Sequence, residues 1–145
     1  MKGEKKLVDT NILVHGYVLI SAKKHRVAKD LIEDIWKKGS GITTLQNLCE
    51  FFLVITKRIE RPMPMERAKE IAKQILTSQK WQVIDRDEKT FLKAMELVKD
   101  TKVPFWDALI AVCMIENDVE VIVTENEKDF KRISGIRVIN PFKGG

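Results

Sequence analysis

The chain reads as an α/β protein: a parallel sheet of about five strands flanked by helices on both faces. Three observations carry that reading. Short strand-like runs alternate with stretches of helical periodicity throughout, and a covered parallel sheet is the economical way to pack such a series. The stretch "FWDALIAVCMIEND" (105–118) is apolar nearly all round, so it belongs in an interior. At 145 residues and 44% apolar content the chain can bury a real core, and no repeat, low-complexity block or Gly/Pro-rich linker divides it. Residues 1–145 are expected to form one domain.

In order, "KLVD" (6–9) is a short strand that stops at Asp9. "SAKKHRVAKDLIEDIWKKGS" (21–40) spaces Val27, Leu31, Ile32, Ile35 and Trp36 as a helix face, with Gly39 as its stop. "GITT" (41–44) is a second strand. Thr43 with Gln46 matches a capping box opening the helix 45–58, which Pro62 and Pro64 close off. "MERAKEIAKQIL" (65–76) sets Met65, Ala68, Ile71, Ala72, Ile75 and Leu76 on one face. "WQVID" (81–85) is a third strand and 88–100 another helix. Pro104 then precedes the apolar helix, and "EVIVTEN" (120–126) and "IRVINPF" (136–142) supply the closing strands.

Lys and Arg outnumber Asp and Glu by 26 to 21, and the net charge of +5 agrees with a polyanionic partner such as RNA or DNA without selecting one. Cys49 and Cys113 lie far apart in apolar runs and read as reduced core thiols of a cytoplasmic protein. "MKGEKK" before an apolar stretch imitates a signal peptide, but Asp9, Asn11 and His15 interrupt it. No segment approaches the ~20 apolar residues of a membrane span.

The residues that ask for chemistry are acids. Asp9 stands between the apolar pairs Leu7-Val8 and Ile12-Leu13, where an uncompensated carboxylate is costly. An Asx turn is the ordinary explanation for an Asp at a strand end. Glu50 shares a mostly apolar helix with Phe51, Phe52 and Val54; buried and unpaired it would be expensive, and a solvent-facing position is the alternative. Asp107 opens the apolar helix, where a cap or a dipole partner would suffice as its role. After the strand near 120, "TENEKDF" adds Glu125, Asn126, Glu127 and Asp129. Three or four carboxylates converging at one sheet edge would repel without a cation, and hard ions such as Mg²⁺ or Mn²⁺ take oxygen ligands.

"VDTNILV", "LQNLCEF", "PFWDALIA", "VIVTENEKDF" and "IRVINPF", in that order, resemble the PIN domain, and within it the VapC-type toxin ribonucleases of toxin–antitoxin pairs. The likeness spans essentially the whole chain. It implies metal-dependent endonucleolytic cleavage of RNA, homodimerisation and inhibition by a small antitoxin protein. Carried over, Asp9, Glu50 and Asp107 are the three central acids, Thr10 and Asn11 brace the first, and Thr124 is the hydroxyl residue after the fourth strand. Many members read T-x-D there, whereas this chain has Thr124-Glu125-Asn126. Asn126 keeps an oxygen ligand without the charge, and Asp129 is the expected fourth acid, with Glu125 and Glu127 as its competitors.

On this reading Mg²⁺ or Mn²⁺ compensates Asp9. His15 and His25 lie near no motif acid in this reading and are expected to be structural or exposed. Lys57, Arg58, Lys102, Lys128 and Lys131 are candidates for the RNA backbone or ordinary surface charge. Trp106 is either a base-stacking residue or core. A D-x-D phosphatase would need an acid where Asn11 stands, and no glycine-rich phosphate loop exists. The remaining alternatives are a non-catalytic RNA- or protein-binding scaffold of the same fold and a PIN nuclease without an antitoxin.

Overall fold

A computed structural model of the protein describes residues 4–143, so the first half of the basic start "MKGEKK" (1–3) lies outside the described residues. Strands β1 (Lys6–Val8), β2 (Gly41–Thr44), β3 (Trp81–Ile84), β4 (Val121–Val123) and β5 (Arg137–Ile139) form one sheet in the order β3-β2-β1-β4-β5. Every pairing is parallel. Around it run α1 (Thr10–Tyr17), α2 (Ala22–Lys38), α3 (Leu45–Leu53), α4 (Met65–Thr77), α5 (Glu88–Thr101), α6 (Phe105–Glu116) and α7 (Glu127–Phe130).

Successive strand side chains point to opposite faces, so β1 feeds two cores. Leu7 joins Ile42, Ile122 and the buried run Ala108–Met114 of α6, as expected for a helix apolar all round. Val8 joins Val123 and the apolar faces of α1, α2, α3 and α4, with Ile12, Phe51 and Ile75 fully buried.

The structure departs from the sequence reading in specific places. α1 and α7 were not anticipated: eight and four residues hold too few turns for a helical pattern to stand out. The capping box is Thr44 with Asn47, because Thr44 is the last residue of β2, while Thr43, one residue earlier, gives its hydroxyl to the Val8 carbonyl. The helix from 45 ends in a single π turn, Val54–Arg58. Cys49 is exposed, although Cys113 is buried as expected. Met65 and Leu76 are also exposed, since α4 meets the core only along Ala68, Ile71 and Ile75.

α2 stops at Gly39, which takes φ +87°, a conformation that favours glycine. Gly41 is a glycine for a different reason. A Cβ there would meet Ile35 Cγ2 at 2.5 Å and the Trp81 ring at 2.9 Å. Gly41→Ala is therefore expected to lower unfolding stability by about 1–3 kcal/mol through overpacking, read as a lower urea midpoint at unchanged slope.

Candidate active site

The strand order changes direction at β1. The chain runs outward from β1 to β3, then crosses to the far side of β1 to form β4 and β5. Ligands in open α/β sheets gather beyond the carboxyl ends of the strands at such a switch point. Asp9 is the first residue past β1 and Thr124 the first past β4, and the register Val8↔Val123 sets them side by side.

Asp9 is buried and caps α1. Its Oδ1 accepts from the Thr10 backbone N–H (2.8 Å) and from Asn47 Nδ2 (2.9 Å). Its Oδ2 accepts from the Thr124 hydroxyl (2.7 Å) and from Asn11 Nδ2 (3.3 Å). Burial still raises the Asp9 pKa above 3.8; the Thr124, Thr10 and Asn47 bonds work against that, and the nearby Glu50 charge adds to it. Asn11 ties the same corner together by accepting from the Glu125 backbone N–H (3.1 Å). Asn47 is fully buried, and sequence reasoning missed it. The available signal was its place one helical turn before Glu50, on the same face of α3.

Glu50 proves to be solvent-exposed, so burial is not what makes it notable. It is nevertheless held, accepting from the Thr10 hydroxyl (3.1 Å) and from Gln46 Nε2 (3.2 Å). Asp107 sits in the first turn of α6, where Pro104 rather than Asp107 occupies the cap position. Asn126 Nδ2 donates to Asp107 Oδ2 (3.0 Å), and Asp129 on α7 lies close to the same carboxyl. Desolvation first, then the neighbouring Asp129 carboxyl and the charge of Asp9, push the Asp107 pKa up to about 7.

The other two acids of "TENEKDF" face elsewhere. Glu125 pairs with Lys24 (2.6 Å) and with His15 Nε2 (3.2 Å), so His15, contrary to expectation, does reach an acid of that segment. Glu127 pairs with Lys143 (2.6 Å) and Lys131 (3.0 Å), which hold its pKa down to about 2. Among the described residues no ion pair reaches Asp9, Glu50, Asp107 or Asp129. The structure thus brings Asp9, Glu50, Asp107, Asn126 and Asp129 together around one corner, and turns Glu125 and Glu127 away toward cations.

The PIN domain model matches residues 6–136. The chain belongs to the PIN domain family. Solved structures with the same fold include a toxin–antitoxin complex from Klebsiella pneumoniae, 23% identical, covering 94% of this chain and 98% of that one with a TM-score of 0.68. The sarcin-ricin loop cleaving toxin VapC20 of Mycobacterium tuberculosis is 19% identical, over 86% of this PIN chain and 92% of its own, with a TM-score of 0.67. The DNA-bound VapBC of Salmonella typhimurium is also 19% identical, over 96% and 99%, with a TM-score of 0.68. No curated protein matches this chain in sequence.

The chemistry of this corner suits a hard divalent cation: four carboxylates with no positive side chain among them, although Asn126 turns its amide nitrogen, not its oxygen, to Asp107. Among the described residues, no three His, Cys, Asp or Glu side chains stand in a metal-holding arrangement as they are. At Asp9, moreover, four donors already occupy roughly the four lone-pair sites of an ionised carboxylate. Of these four bonds the 3.3 Å one from Asn11 is the longest.

Asn47→Ala removes a buried donor from Asp9 and is expected to destabilise the fold by about 1–3 kcal/mol, measured by urea unfolding without metal. Asp107 binds its proton more tightly folded (about 7) than at its ordinary value of 3.8. Its contribution to stability is therefore full below the lower value and disappears as pH rises through the higher one. Metal-free protein should lose stability across that window, and Asp107→Asn should flatten the loss.

Proposed function

We propose that this PIN domain is a metal-dependent endoribonuclease, and that it serves as the toxin of a toxin–antitoxin pair. The observation that carries the nuclease reading is the group of uncompensated acids at the switch point of a PIN-family sheet. Asp9, Glu50, Asp107 and Asp129 would hold Mg²⁺ or Mn²⁺, with the Asn126 amide oxygen as a neutral ligand. When bound, such an ion polarises water for attack on a phosphodiester and neutralises charge on the phosphate oxygens.

The protein's own part is positioning. Asn47 and Thr124 fix the Asp9 carboxylate, while Thr10 and Gln46 fix that of Glu50. Asp107 sheds a proton readily near neutral pH, so the site can take up a cation without a large ionisation cost. The net charge of +5 favours approach of an RNA backbone to the otherwise acidic corner.

The toxin role is supported by the near-complete two-way overlap with chains of toxin–antitoxin complexes. RNA as substrate is supported by the likeness to the sarcin-ricin loop cleaving toxin. A small antitoxin as partner, homodimerisation and a cytoplasmic setting belong to the same reading. Two free cysteines suit a reducing compartment, and among the described residues no helix is long and apolar enough to cross a membrane.

The test is cleavage of a fluorescent single-stranded RNA by purified protein in EDTA, Mg²⁺ or Mn²⁺. Cleavage should require metal and fall by more than about 100-fold in Asp107→Asn, beyond the 10–100-fold of outer-shell losses. Glu125→Gln should cleave as the wild type does. Metal should also raise the melting temperature of the wild type and not of Asp107→Asn. RNA binding with no cleavage in any metal would leave a non-catalytic PIN scaffold instead.

A further inference from the structure

Beside Glu50 opens a cleft of about 440 Å³ whose lining includes Gln46, Asp85, Arg86 and Trp106. A cleft of that size suits a small planar ligand. Trp106, one residue before Asp107, is 56% exposed, which excludes the core alternative. Its indole is braced edge-on by Phe105 at 5.4 Å, and Phe105 in turn by Phe91 at 5.9 Å. The Arg86 guanidinium lies over the ring at 6.0 Å, the outer limit of cation–π contact, so the indole is partnered but not sealed.

Gln46 ties this cleft to the acids. Its amide nitrogen donates to Glu50 Oε1 (3.2 Å) and to the Trp106 carbonyl (3.4 Å), while its oxygen accepts from Arg86 Nη1 (3.4 Å). One side chain therefore sets the spacing between a candidate metal ligand and an exposed aromatic face. Arg86 keeps further guanidinium donors, and the Asp85 carboxylate accepts only from the Arg86 backbone N–H among the described residues.

We propose that this cleft is a nucleobase subsite, in which a single-stranded RNA base stacks on Trp106 next to the phosphate at the acids. Unstacked RNA bases are taken up in this way on aromatic faces and arginine planes, then read along their edges. Arg86 offers donors and Asp85 offers acceptors. Guanine meets both, with two acceptors at O6 and N7 for arginine and N–H donors on its pairing edge. The subsite is therefore selective for guanine over adenine. The inference takes RNA as its ligand from the nuclease reading, but it rests on a separate set of residues.

The experiment is anisotropy of short fluorescent single-stranded RNAs in Ca²⁺, carrying one guanine, an adenine in its place, or an abasic position. Manganese-dependent cleavage is followed separately. Wild type should hold the guanine strand best. Trp106→Ala should weaken it by about 10-fold or more, in line with the stacking energy of one base. Trp106→Phe should restore most of the affinity, which a merely structural role would not require, and Arg86→Ala should abolish the preference for guanine. Equal binding of all three strands by wild type, or Trp106→Ala binding as wild type does, overturns the subsite and leaves any measured cleavage standing. Trp106-dependent binding without cleavage keeps the subsite and removes the nuclease.

Discussion

The structure depends on satisfying one buried carboxylate. Asp9 ends the central strand, starts the first helix and lies where water cannot solvate it. An unpaired charge there would cost several kcal/mol. Its four donors come from α1, from α3 and from the residue after β4, so folding the sheet and assembling the corner are one event. That dependence explains why polar residues stand among the apolar ones at 9–11. The sequence reading assigned the compensation to a metal ion; four hydrogen bonds within the chain also contribute to it.

Electrostatics then sorts the remaining acids into two populations. Glu125 and Glu127 have salt-bridge partners, and those partners draw them outward from the corner. Asp107 and Asp129 have none and face each other, with the charge of Asp9 nearby. The first population is neutralised within the chain. The second is left short of positive charge, which is the condition in which a divalent cation, or a retained proton, becomes favourable. Between these states the Asp107 proton is the adjustable element.

Gln46 and Asn47, neighbours on α3, divide the work of connection. Asn47 faces inward, joining Thr44, Asp9 and Thr10. Gln46 faces outward, joining Glu50, Trp106 and Arg86. A capping box displaced by one residue from its expected place makes this division possible, because it decides which of the two amides points into the protein. Neither side chain carries a charge or a motif of its own. Their importance lies in which groups they bridge.

Periodicity and composition were enough to place five strands, the long helices and the buried α6, because those features depend on each residue's own preference for water and on local spacing. The positions of Asp9 and Asp107 at element ends were legible for the same reason. The exposure of Glu50, Cys49 and Trp106 was not, since an apolar run looks alike whether a neighbour covers it or solvent does. The sequence reading preferred Asp129 to Glu125 and Glu127, but which of these three neighbours meets a cation was not legible in it. Glu125 and Glu127 are paired by Lys24 and Lys143, brought near by the packing of other elements, and Glu127 also by its sequence neighbour Lys131. Local chemistry determined which elements form; only the tertiary structure decided which charges meet, because partners distant in sequence are chosen by register and packing.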